Sequence, residues 1–262
     1  YAVGAGSAEP ASPSQNPPTC SLDNAKVPAN AIIVDDEPSR LNVQGCGSAN
    51  WSSNGTFTYT YGTNSAGDPI GAIDTHQLGT GLGGHILFSH TEDGTEPALI
   101  NTGTWTPNLP SLQYYKIKLH IPGLGAQATN VVYTINPGGG VSPWRIRVNQ
   151  AWNSEQWVTI GTFAMTNGGN VVLTNNGSSV DNGGFGNSDF DVAFDAIAFV
   201  PQGGTPGQPI GGPPGIQDAP KGSNPAFIAC GCARRTAGDP VDTSTGFFGQ
   251  DFPDLSTPGR GV

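Results

Sequence analysis

Tyr115-Lys116-Ile117-Lys118-Leu119-His120-Ile121 alternates large apolar and polar side chains over seven residues. Alternation of period two puts one set of side chains on each face of a strand. Tyr115, Ile117, Leu119 and Ile121 therefore face a core, and Lys116, Lys118 and His120 face outward. The texture continues on both sides. Ala31 to Val34, Thr56 to Tyr61, Val131 to Ile135, Trp144 to Val148, Trp157 to Phe163, Val171 to Thr174 and Asp191 to Val200 all read as strands. His85 to Ser89 and Ala98 to Ile100 are weaker strand candidates, and one turn of helix fits between Ser65 and Leu78. Gly, Pro and Asn separate the strands, and no segment sustains a 3.6-residue period. The fold class is all-β: an antiparallel β-sandwich, jelly-roll-like, with an extended N-terminal leader and a Gly/Pro-rich C-terminal tail.

Composition agrees. The 39 Gly and 23 Pro approach a quarter of the 262 residues, and only 11% are charged. A net charge of −10 with ten Lys and Arg argues against nucleic-acid binding, which needs a basic surface. It argues equally against docking on anionic lipid. No run of about 18 apolar residues exists, so membrane insertion by a helix is not expected. Tyr1 followed by small residues to Ser7 reads as a processed N-terminus. One Met, four Cys and many Asn, Thr and Ser suit a secreted or cell-surface, extracellular location.

Four segments follow. Residues 1–30, with five prolines, form the leader. Residues 31–201 form the sandwich. Residues 202–235 form a linker, because 11 of the 18 residues from Gly203 to Pro220 are Gly or Pro. Residues 236–262 are too short for a core of their own. Four Cys allow three pairings. Cys230 and Cys232 flank a single Gly, so a bridge between them is strained. They pair with each other or with partners beyond the chain. Cys20 and Cys46 are expected to bond, pinning the leader and stabilising by roughly 3 kcal/mol for a loop of about 25 residues.

Several motifs together resemble the golvesin/Xly carbohydrate-binding-module-like domain. They are Ala31-Ile32-Ile33-Val34-Asp35-Asp36, then Trp51, then Gly103-Thr104-Trp105-Thr106-Pro107-Asn108-Leu109-Pro110 ahead of Tyr114-Tyr115. Val132 to Ile135, Arg147 to Gln150, Trp157 to Phe163 and Phe194 to Phe199 complete the pattern. Gly62 to Pro97 is long, Gly-rich and outside it. The C-terminus resembles the entry segment of RHS/YD-repeat proteins through Gly238-Asp239-Pro240-Val241-Asp242 to Gly246, followed by Asp254 to Gly261. That family implies a large secreted or surface β-shell downstream, in toxins or in adhesion. The chain would then be one part of a longer polypeptide, and the downstream shell would be its partner.

No catalytic constellation is apparent, and a non-enzymatic role is expected. Glu37, Glu92, Glu96 and Glu155 fall in loop-like contexts, whereas glycoside cleavage needs two carboxyls across a cleft. No GxSxG elbow occurs. Gly79 to Gly84 precedes a strand rather than a helix, so it does not cradle phosphate. His76, His85, His90 and His120 lack metal-ligand spacing. Asp35, Asp36 and Asp195 are the candidate calcium ligands, against the alternative that they satisfy backbone amides at strand ends. Calcium is the one cofactor considered. Trp51, Trp105, Trp144, Trp152 and Trp157 offer faces for sugar rings. Trp105 and Trp157 lie in core-facing patterns, which leaves Trp152, with Gln150 in the same loop, as the surface candidate for a glycan or cell-wall polymer. The function expected is an extracellular binding or adhesion module, and its rival is a structural plug or spacer with no ligand.

Overall fold

The computed structural model describes residues 19–36, 46, 50–176 and 190–220, and the backbone of residues 241–242 and 247–248. The chain folds as an antiparallel β-sandwich. Its strands are β1 (Ile32–Val34), β2 (Gly55–Thr60), β3 (Thr75–Leu78), β4 (Ile86–His90), β5 (Thr102–Pro107), β6 (Gln113–Ile121) and β7 (Val131–Asn136). β8 (Trp144–Val148), β9 (Gln156–Met165), β10 (Asn170–Thr174), β11 (Asp191–Phe194), β12 (Ile197–Pro201) and β13 (Ile216–Asp218) follow. A four-stranded sheet runs β1-β12-β6-β9 and a six-stranded sheet runs β13-β8-β7-β10-β5-β2. A three-stranded sheet, β11-β4-β3, stands beside them. The golvesin-like motifs thus fall on the strands of a sandwich.

The alternation of β6 delivers one face as expected. Tyr115, Ile117, Leu119 and Ile121 enter a core shared with Trp105, Tyr133, Ile146, Val171 and Phe194 from the opposing sheets. The other face departs from expectation, because His120 is buried as well. Leu22, Val27, Leu82, Ile33, Ala196 and Ala198 form a second apolar cluster there, with Trp51 and Trp157 against it. The end of the leader is therefore part of the fold. Leu22 and Val27 are buried, Thr19 bridges to Leu82, and the Lys118 ammonium donates to the Lys26 carbonyl. The Cys20–Cys46 disulfide secures this cap, with Cys46 itself buried.

Three further differences have physical reasons. Asp191 to Val200 reads as one strand but divides at Asp195 and Ala196, so β11 pairs with β4 while β12 pairs with β1 and β6. A strand that changes sheets makes a corner of the sandwich. The residues Ala98 to Ile100 begin inside a 3-10 turn, Pro97–Leu99, where Pro97 at the start favours a turn over a strand. A second 3-10 turn, Ile70–Asp74, falls where a helical turn was expected. The Gly/Pro-rich stretch also contributes to the sandwich. β13 adds in parallel to the edge of β8, and Trp144 Nε1 donates to the Ile210 carbonyl. The backbone pairs Val241–Asp242 (β14) with Phe247–Phe248 (β15). Cys230, Cys232 and most of the RHS-like segment lie outside the described residues.

Candidate functional site

The corner between β11 and β12 gathers polar groups inside the molecule. Asp195 is fully enclosed, and its carboxylate accepts from His120 Nδ1 at 2.7 Å, from Ala196 N at 2.8 Å and from Leu82 N at 3.2 Å. Gly81 makes the last contact feasible. Its φ is +77°, and a β-carbon there would lie 2.4 Å from Asp195 Oδ2. Only glycine lets the loop approach so closely without strain. The glycine-rich run thus wraps a carboxylate rather than a phosphate. Trp105 Nε1 donates to the Asp195 carbonyl at 2.7 Å.

His120 carries the network outward. Its Nε2 lies 4.0 Å from Glu155 Oε2, and Glu155 also accepts from Thr19 Oγ1 and Gly123 N. Burial disfavours charge on His120, but the Asp195 and Glu155 carboxylates outweigh it and raise its pKa. On the other side, His85 Nδ1 bonds Asp36 Oδ2 at 2.7 Å. One oxygen each from Asp35, Asp36 and Asp195 lies within 4.8 Å of the others, and all three residues are buried. This convergence is a matter of three-dimensional pairing, since 160 positions separate the strands that carry it.

A second cluster lies on the three-stranded sheet. His76 pairs in register with Phe88, and His90 with Asp191, so these four side chains share one face. Asp74, at the end of its 3-10 turn, bonds His90 Nδ1 at 2.5 Å and the His90 amide at 3.1 Å. Asp191 Oδ1 lies 3.6 Å from His90 Nε2. His76 stacks on Phe88 and meets His90 edge-on. Sequence reasoning missed this group because residues 76 and 90 are joined by cross-strand register rather than by local spacing. Burial, together with the charges of Asp74, Glu96 and Asp93, pushes the neighbouring Glu92 up to about 7.

The proposed ligand residues are placed as follows. Gln150 is buried, and its amide donates to the Tyr133 hydroxyl and the Ala193 carbonyl while accepting from Ala193 N. It ties the β8–β9 turn to β11. Trp152 is half-buried in that turn, with its backbone N–H on Asn149 Oδ1. Trp51 is the aromatic at an open groove of about 580 Å³, lined by Asn24, Pro28, Ile33, Asn50 and Asn54 among others. The buried Trp51 indole N–H has no hydrogen-bond partner among the described residues.

Fold and site together define an antiparallel sandwich with an internal acid–imidazole network and an aromatic-lined surface groove. The sequence profile of the Golvesin C-terminal domain family matches residues 75–182. That span includes much of the Gly-rich stretch that the motifs alone left unassigned. Among solved structures the chain is similar to a Paenibacillus xanthan lyase, at 20% identity over 66% of this chain and 13% of that one, with a TM-score of 0.42. It is also similar to a pectin binding carbohydrate binding module, at 10% identity over 63% of this chain and 96% of that one, with a TM-score of 0.32. An exo-β-1,3-galactanase from Phanerochaete chrysosporium is similar at 14% identity over 65% of this chain and 29% of that one, with a TM-score of 0.30. The chain thus spans 13% of the length of the xanthan lyase it resembles. No curated protein sequence matches it. Among the described residues no helix is long and apolar enough to cross a membrane.

Proposed function

We propose that this chain is a non-catalytic, extracellular binding module for an uncharged glycan or cell-wall polymer. One observation carries the reading: the groove beside Trp51 offers an aromatic side chain and asparagine side chains, with no charged lining residue among those described. An indole suits the apolar face of a sugar ring, and asparagine amides can meet its hydroxyls. Trp152 remains the second aromatic candidate. The Cys20–Cys46 bridge supports export, because disulfides persist in oxidising compartments. The RHS-like segment supports a place ahead of an RHS/YD-repeat shell, in adhesion or presentation at a surface. The His85–Asp36 and His120–Asp195 pairs are enclosed, out of reach of a polymer substrate, which favours binding over turnover.

Calcium at Asp35, Asp36 and Asp195 belongs to the same reading. Three buried carboxylates within reach of one cation suit a hard ion that takes six to eight oxygens, and such an ion would offset their mutual repulsion.

Affinity electrophoresis and calorimetry against neutral polysaccharides test the proposal. Saturable binding lost in Trp51→Ala and kept in Trp152→Ala supports the groove. Loss only in Trp152→Ala moves the site to the β8–β9 turn. Absence of saturable binding to every neutral polymer favours the spacer reading.

A further inference from the structure

We propose that Asp74, His76 and His90 form a binding site for a divalent transition metal of the zinc class, with Asp191 orienting it. Three observations converge. One potential ligand atom from each of Asp74, His76 and His90 lies within 4.8 Å of the other two. Asp74 and His90 are half-buried and His76 is exposed, so an ion has a path to them from solvent. His90 is also hydrogen-bonded at Nδ1 by Asp74, with Asp191 Oδ1 3.6 Å from its Nε2.

Zinc-to-nitrogen and zinc-to-oxygen bonds of about 2.0–2.1 Å at a tetrahedral angle put ligand atoms roughly 3.3 Å apart. The ion therefore takes the place of the hydrogen between Asp74 Oδ1 and His90 Nδ1. That hydrogen leaves Nδ1, a proton is kept or taken up at Nε2 so that the ring binds the ion as its neutral Nε2–H tautomer, and the Asp74 and His90 atoms separate slightly. His76 closes on the ion as the third ligand, and solvent takes the fourth position. Asp191, 3.6 Å from His90 Nε2, is placed to take up that nitrogen's N–H when the ring settles on the ion, the carboxylate–imidazole–metal arrangement that fixes a ring and raises its basicity. The surroundings favour a cation, because the Asp74 and Asp191 carboxylates flank the His90 ring from its two sides. Imidazole nitrogens select zinc, copper or nickel over calcium and magnesium, which separates this site from the all-oxygen trio at Asp195.

The ion would join the Ile70–Asp74 turn, β3 and β4. β3 lies at the edge of the three-stranded sheet, paired only with β4, so the ion would add a cross-link there.

Tag-free protein, stripped with EDTA, is titrated with zinc chloride by calorimetry and melted with and without the ion. One zinc per chain and a rise in Tm are expected. His76→Ala and His90→Ala should each weaken binding tenfold or more, and Asp191→Asn about tenfold. Electron paramagnetic resonance of the copper(II)-loaded wild type should show two nitrogen ligands, a readout that does not depend on variants folding. Undiminished zinc binding in the His76→Ala/His90→Ala double variant overturns the proposal, as does a copper spectrum with no imidazole nitrogen. Stabilisation by calcium but not zinc does so too.

Discussion

Two regions of this protein use the same side chains under opposite conditions. At the corner of the sandwich, His120 and Asp195 bond at 2.7 Å with 1% and 0% of their side chains exposed. On the three-stranded sheet, His90 and Asp74 bond at 2.5 Å with 31% and 14% exposed. The inner pair is held from every side, by Leu82, Ala196, Trp105 and the leader. The outer pair is open to ions. Enclosure, not residue type, separates a structural pair from a site available for chemistry. A buried pair that loses one partner leaves an uncompensated charge, whereas a surface pair is worth little.

The comparison breaks first at Asp195. Asp195→Ala should cost about 3–5 kcal/mol in urea unfolding with EGTA present, because it strands His120 and two backbone amides. A loss below about 1 kcal/mol would make the inner pair no different from the outer. Cys20→Ser should cost about 3 kcal/mol and loosen the leader over His120. Diethyl pyrocarbonate should then modify His120, which is protected in the wild type, at an unchanged rate for His76 and His90. Equal protection of all four imidazoles would remove the distinction. Trp105→Phe should cost about 1–2 kcal/mol by leaving the Asp195 carbonyl unsatisfied, with the core otherwise filled. Asp191→Asn, in the absence of added metal, should change stability by less than about 1 kcal/mol, as read by thermal melting.

The strands were legible where one face is wet. β6 and β2 show their alternation plainly. The second face of β6 was not legible, since its cover comes from Leu22 and Val27, some 90 positions away, in a stretch whose prolines suggest coil. The break at Asp195 was hidden for a related reason. Val192 to Phe199 is apolar on both sides of the break, and no Gly or Pro marks the change of sheet. β13 is three residues long among prolines and glycines, so only its neighbour β8 defines it. Asp35 and Asp36 could be singled out as carboxylates ending a strand and Asp195 as one on the last strand, and the structure brings the three together. His76 and His90 could not, because their nearness depends on the β3–β4 register. The Cys20–Cys46 bridge followed from counting and spacing. Trp51 was one tryptophan among five until its groove was visible.

In β1, Ile32 lies opposite Phe199 of β12, so one of the earliest strands made is completed by one of the last. Contacts of such long sequence separation slow folding. During synthesis, β1 has no partner from β12 until residues 197–199 emerge, and the edge of β6 that β12 later covers stays open meanwhile. The module therefore closes late and nearly all at once. A cell producing it has to shield an unfinished sheet until β12 is made.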